Sequence, residues 1–154
     1  MDKIIISIEG FKDGETIPDI YTCKGKDHSP SLSWKGIPAG TKSIALIMDD
    51  PDAPGGTFVH WLLYNVPAQT QKLPEAMPND RTLSDGSMQG MTDFGRTGYG
   101  GPCPPPGKPH RYYFKLYALD SKIAPAPGIS KEELENKMLG HILAKGELIG
   151  IYKR

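Results

Sequence analysis

His110-Arg111-Tyr112-Tyr113-Phe114-Lys115-Leu116-Tyr117-Ala118-Leu119 is the stretch that decides the fold. Its period is two: His110, Tyr112, Phe114 and Leu116 share one face, and Arg111, Tyr113, Lys115 and Tyr117 the other. Such alternation marks a half-buried strand, because a helix would repeat its apolar positions every third or fourth residue. Upstream, Phe58-Val59-His60-Trp61-Leu62-Leu63-Tyr64-Asn65-Val66 is aromatic and β-branched, and Pro67 stops it. Strict alternation there puts Phe58, His60, Leu62 and Tyr64 on one face and Val59, Trp61 and Leu63 on the other. Before it, Ser43-Ile44-Ala45-Leu46-Ile47-Met48 is almost continuously apolar, as a strand covered on both faces would be.

Weaker elements surround these three. Ile4, Ile6 and Ile8 alternate with polar residues in an opening strand; Leu32-Ser33-Trp34 is a short one; Ile20-Tyr21-Thr22-Cys23 is at most another. Residues 67–109 form a long polar connection ending in Tyr99-Gly100-Gly101-Pro102-Cys103-Pro104-Pro105-Pro106-Gly107. That ending is stiff where proline fixes φ, and glycine lets the backbone approach a neighbour closely. Ser130 with Glu133 makes a capping box, and Leu134, Met138 and Ile142 follow at helical spacing, with Gly146 as the stop and Leu148-Ile149-Gly150-Ile151-Tyr152 as the last strand. Strands separated by turn signals, one late helix and no βαβ alternation predict a mainly β domain, an antiparallel sandwich of two sheets.

The 154 residues suit one domain over the whole chain, 1–154. Eighteen basic residues balance 18 acidic ones, so no global field draws in nucleic acid or an anionic membrane. The apolar run after Met1 is too short for a signal peptide, and no stretch approaches the ~20 apolar residues of a membrane helix. The expectation is a cytoplasmic protein with no stable membrane insertion. Cys23 and Cys103 are spaced so that a disulfide would close a long loop, but reduced thiols are expected in that compartment.

Three features carry possible chemistry. Asp49-Asp50-Pro51-Asp52-Ala53-Pro54 follows the apolar strand, and its charge is expected at a rim. His60 lies on the aromatic strand. His110 and Tyr112 share one face immediately after the glycine–proline loop. Singly, each reads as ordinary turn or core-edge packing; jointly they supply imidazole, phenol and backbone donors suited to an oxyanion. His28 and His141 read as structural, and Trp34 and Trp61 as core.

Asp50-Pro51-Asp52-Ala53-Pro54, His60-Trp61, Gly101-Pro102, Pro104-Pro105-Pro106-Gly107 and His110-Arg111-Tyr112 resemble the signature regions of the phosphatidylethanolamine-binding, or Raf kinase inhibitor-like, protein family. Tyr21-Thr22-Cys23, Ser29-Pro30, Leu32-Ser33-Trp34, Gly140-His141-Ile142-Leu143 and Gly150-Ile151-Tyr152 extend the likeness over nearly the whole chain, closest to the compact bacterial and archaeal branch. The resemblance implies Greek-key connections and a pocket for phosphate, acetate or a phosphoethanolamine head group. It assigns that pocket to Asp50, Pro54, Phe58, His60, Gly101, Pro102, His110 and Tyr112, with a cis peptide near Asp50-Pro51 or Pro54. His60 and His110 would donate to the anion, Tyr112 and the Gly101 backbone would complete the cradle, and Asp50 would accept a hydrogen bond from a histidine. A kinase or protease partner and a homodimer are further implications. The link from Pro54 to His60 is shorter than in eukaryotic members, and a helix flanking the pocket after the last strand is not expected.

The expected role is therefore binding rather than catalysis, with no cofactor and no metal. The competing reading is a hydrolase or metal-dependent enzyme built on the Asp, two His and Tyr. Against it, no serine stands in a G-x-S-x-G context, and Cys103 between prolines has no evident activating partner.

Overall fold

The computed structural model describes residues 2–154. Its strands are β1 (Asp2–Lys3), β2 (Ile5–Ile8), β3 (Leu32–Lys35), β4 (Ser43–Asp50), β5 (Phe58–Pro67), β6 (Lys72–Leu73), β7 (Met88–Gln89), β8 (His110–Leu119) and β9 (Ile142–Tyr152). One helix, α1 (Lys131–Met138), precedes β9. The larger sheet runs β1-β9-β8-β4-β5-β7 and the smaller β2-β3-β6. Pairing is antiparallel except where β1 meets β9. The hairpin-like pairs β4–β5 and β8–β9 lie side by side, so the chain leaving β5 crosses past β4 to begin β8, in the Greek-key manner.

Between the sheets, Ile6, Ile8, Leu32 and Trp34 pack against Leu46, Met48, Trp61, Leu63, Tyr112, Phe114 and Leu116. On the outer face of the large sheet, Ala45, Ile47, Leu62 and Tyr64 are covered by Ile123, Ile129, Leu134 and Met138. β4 is thus sealed on both sides, and all eight of its residues are buried. This is why its sequence shows no alternation.

The opening apolar run divides between the two sheets. At Ile4 the chain steps from the large sheet to the small one, and the Ile4 N–H donates to the Lys145 carbonyl at 2.9 Å. Residues 19–21 form a single 3-10 turn rather than a strand. The Ser130–Glu133 capping box is formed, but α1 ends at Met138, well before Gly146. Gly140, at φ 82°, makes the reversal, and Ile142 already belongs to β9. Gly146 lies inside that strand because a Cβ there would sit 2.1 Å from the Ile4 carbonyl oxygen. It serves the crossing of two backbones and does not stop a helix. His141, expected on the helical stripe, is exposed in the turn and bonds Asp120.

Candidate anion-binding site

A β-bulge builds the site. Met48 pairs with Trp61, yet Asp49 pairs with Val59, so β5 spends one extra residue, His60, opposite β4. A bulge breaks the alternation and re-aims a side chain. His60 consequently turns inward, its ring 5.2 Å from that of Tyr112, while Leu62 and Tyr64 face outward beneath the helix. The expectation that His60 shares a face with Leu62 and Tyr64 is corrected here, because period-two counting cannot register an inserted residue. A second irregularity, near Asn65 with its φ of 57°, restores Val66 to the inner core.

The bulge also frees backbone groups that the following loop satisfies. Gly100 N–H donates to the His60 carbonyl at 3.0 Å, and Asp93 N–H to that of Val59 at 3.0 Å. In return, His60 Nδ1 lies 2.7 Å from the Gly100 carbonyl oxygen, which can only accept, so Nδ1 carries the proton.

Asp49 and Asp50 lie within β4, not at a rim, and are 1% and 3% exposed. Successive strand residues face opposite ways, so their carboxylates are satisfied on opposite sides of the sheet. Asp49 accepts from Lys115 at 3.1 Å and Lys131 at 2.9 Å. Asp50 accepts from His110 Nδ1 at 2.7 Å and from the Asp52 N–H at 2.7 Å. Asp52 is in turn clasped by Arg111 through its backbone N–H and its guanidinium, at 2.8–2.9 Å. Those side-chain bonds hold the Asp52 carboxyl down to about 2. The turn after β4 is closed by the Asp52 N–H bond to the Asp50 side chain, with no cis peptide among the described residues. That hydrogen-bonded reversal replaces the expected cis bond.

Asp50, His60, His110 and Tyr112 meet on one cavity of 190 Å³. Phe58 and Phe94 form an aromatic wall, their rings 4.9 Å apart and each 5.0–5.2 Å from His60. Ala53, Pro54, Cys103, Pro104 and Pro105 complete the cavity wall. Burial, and after it the Asp50 charge, pushes the Tyr112 phenol far up, so its O–H persists at any ordinary pH.

Gly101 and Pro102 do not line this cavity. The Gly101 N–H donates instead to Asp27 Oδ1 at 2.8 Å, and a Cβ at Gly101 would fall 2.1 Å from the Tyr21 carbonyl oxygen. Pro102 O accepts from Cys23 N at 3.1 Å. Both residues dock the loop onto the 3-10 segment and so act from behind the wall. Cys23 and Cys103 form a disulfide, contrary to the expectation of free thiols, because docking brings their Cα atoms within 5.4 Å. The sequence reading also missed Phe94, 40% exposed at the mouth, whose one signal is being the lone aromatic in a polar glycine-rich run.

Burial holds His60 below the ordinary histidine range, and the Gly100 carbonyl and the Asp50 and Asp27 charges only partly offset it. The folded protein keeps this ring neutral, whereas the unfolded chain takes up a proton near pH ~6.5. The stability tied to neutral His60 is therefore complete above that value and lost as pH falls below it. Denaturant unfolding at a series of pH values should show this decline, and His60→Gln should flatten it between about pH 7 and 5. An unchanged slope in the variant would remove His60 as the cause.

A family model described as phosphatidylethanolamine-binding protein matches residues 7–153. The chain belongs to the phosphatidylethanolamine-binding protein family. It is 55% identical over 146 residues to a UPF0098 protein of Aquifex aeolicus, covering 94% of this chain and 85% of that one. A UPF0098 protein of Methanothermobacter thermautotrophicus is 48% identical, with 97% and 98% covered. Among solved structures, a homologue of the family from Chlamydia trachomatis superposes with TM-score 0.90 at 36% identity, over 100% of this chain and 99% of that one. Escherichia coli YbcL, described as a member of the mammalian family, gives 0.89 at 35%, covering 99% of both. This family fold is what brings the bulged β5 and the start of β8 to one cavity. Among the described residues, no helix is long and apolar enough to cross a membrane, and no three His, Cys, Asp or Glu side chains are grouped to hold a metal ion.

Proposed function

We propose that this protein binds a small anionic group, a phosphate, a carboxylate such as acetate or a phosphoethanolamine head group, and acts as a binding module rather than an enzyme. The observation that carries the reading is the buried His110–Asp50 pair, 2.7 Å apart, facing His60 in a cavity walled largely by aromatic and proline side chains. Asp50 engages Nδ1, so His110 presents Nε2 to the ligand. When His110 is imidazolium, the pair is neutral overall and Nε2–H makes a charge-assisted bond to the anion. The Asp50 carboxylate thereby orients the donor instead of repelling the guest.

Binding without turnover fits the lining: it contains no serine or threonine, and its one cysteine is in a disulfide. The proline wall beside the mouth is stiff enough to present a surface to a protein partner at low entropic cost, which suits a regulator of a kinase or protease. The first test is phosphate titration by calorimetry at pH 6, where the heat of binding should saturate for the unaltered protein. Absence of binding overturns the pocket, and binding undiminished in His110→Ala overturns the role given to His110.

A further inference from the structure

The two histidines of the pocket differ in what holds Nδ1, a carboxylate for His110 and a neutral carbonyl for His60, and this narrows the ligand class; the point rests on the anion-pocket reading above. His60 Nδ1 donates to the Gly100 carbonyl, so a neutral His60 ring has a lone pair, not a proton, on Nε2. The ring is 4% exposed and lines the cavity between Phe58, Phe94 and Tyr112. The charged and titratable groups around it are Asp50 on β4, with Asp49 beside it in the same strand, His110 and Tyr112 on β8, and Asp27 behind the loop. Burial outweighs those carboxylates and keeps the ring neutral.

We propose that His60 makes the pocket selective for oxyanions that bring their own proton: hydrogen phosphate and phosphate monoesters rather than sulfate or an ionised carboxylate. A P–OH group donates to His60 Nε2 while the remaining oxygens accept from His110. A fully deprotonated oxyanion sets its own lone pairs against that nitrogen in a desolvated pocket, and such a mismatch is what rejects a ligand. Phosphate monoesters retain the needed proton over an accessible range, their second ionisation lying near pH ~6.

The test is calorimetry at pH 6 with inorganic phosphate, methyl phosphate, sulfate and acetate as probes. Phosphate and methyl phosphate should bind at least tenfold more tightly than sulfate and acetate. His60→Gln supplies an amide that can donate, and it should bring the phosphate-to-sulfate ratio close to one by admitting sulfate. Nitrogen NMR of the unaltered protein provides a readout that needs no variant: saturating phosphate should leave His60 neutral, protonated on Nδ1 only. Sulfate binding as tight as phosphate, or a His60 imidazolium in the phosphate complex, overturns the selectivity and leaves the anion pocket standing. Failure of every probe to bind overturns the pocket reading beneath it.

Discussion

His110→Ala is expected to weaken phosphate binding at pH 6 by roughly 10- to 150-fold, the equivalent of about 1.5–3 kcal/mol for a hydrogen bond to a charged group. The variant removes the Nε2 donor and also strips Asp50 of a 2.7 Å partner while that carboxylate stays 3% exposed. Breaking a buried pair from one side costs stability because the other charge remains, on the order of 3–5 kcal/mol. A thermal melt should therefore fall alongside affinity. His110→Asn separates the two effects: its amide N–H continues to donate to Asp50, so much of the melting temperature should return while binding stays weak. Recovery of phosphate binding in His110→Asn would show that the imidazole itself contributes no bond to the anion.

Cys23→Ser together with Cys103→Ser is expected to cost about 4.5 kcal/mol by loop-closure entropy for residues 80 apart. For a chain of this size that corresponds to a loss of roughly 10–15 °C in Tm. The same fall should follow treatment of the unaltered protein with a dithiol reductant, since both cysteines are exposed. Phosphate affinity should weaken as well, because Cys103 begins the wall that continues through Pro104 and Pro105. Equal melting temperatures for the oxidised, reduced and doubly substituted forms would exclude this cross-link as a stabilising element. The bond also bears on compartment: in most cells such a link persists outside the cytoplasm, with hyperthermophiles the exception.

Much of the architecture was legible because strands and caps write themselves locally. The alternation of His110 to Leu119, the apolar run from Ser43 to Met48 and the Ser130–Glu133 box each depend on neighbours within a few residues, and each is found where expected. The helix end was misread for a related reason. Ile142 continues the spacing of Leu134 and Met138, yet it packs beside them from a strand, so the periodicity was satisfied by a different backbone. Gly146 looked like punctuation, whereas its missing Cβ answers to Ile4, distant in sequence.

The candidate site divides along the same line. Asp50, His60, His110 and Tyr112 were identifiable as types able to serve an anion, and the family motifs placed them together. The direction of each hydrogen bond was not identifiable. Gly101 was expected to face the ligand, but Asp27 takes its N–H; Asp49 was expected at a rim, but it is buried and paired with two lysines.

By itself, then, the sequence determined the principal strands, the sandwich and the chemical types at the pocket, since all three follow from short-range pattern and side-chain identity. Only the tertiary structure decided which way His60 points, which of its nitrogens bears hydrogen, and that Cys23 meets Cys103. The physical reason is that the first two depend on one extra residue between paired strands and on a loop returning from 40 positions away to fill the backbone bond it leaves open, and the third on that loop docking against the 3-10 segment.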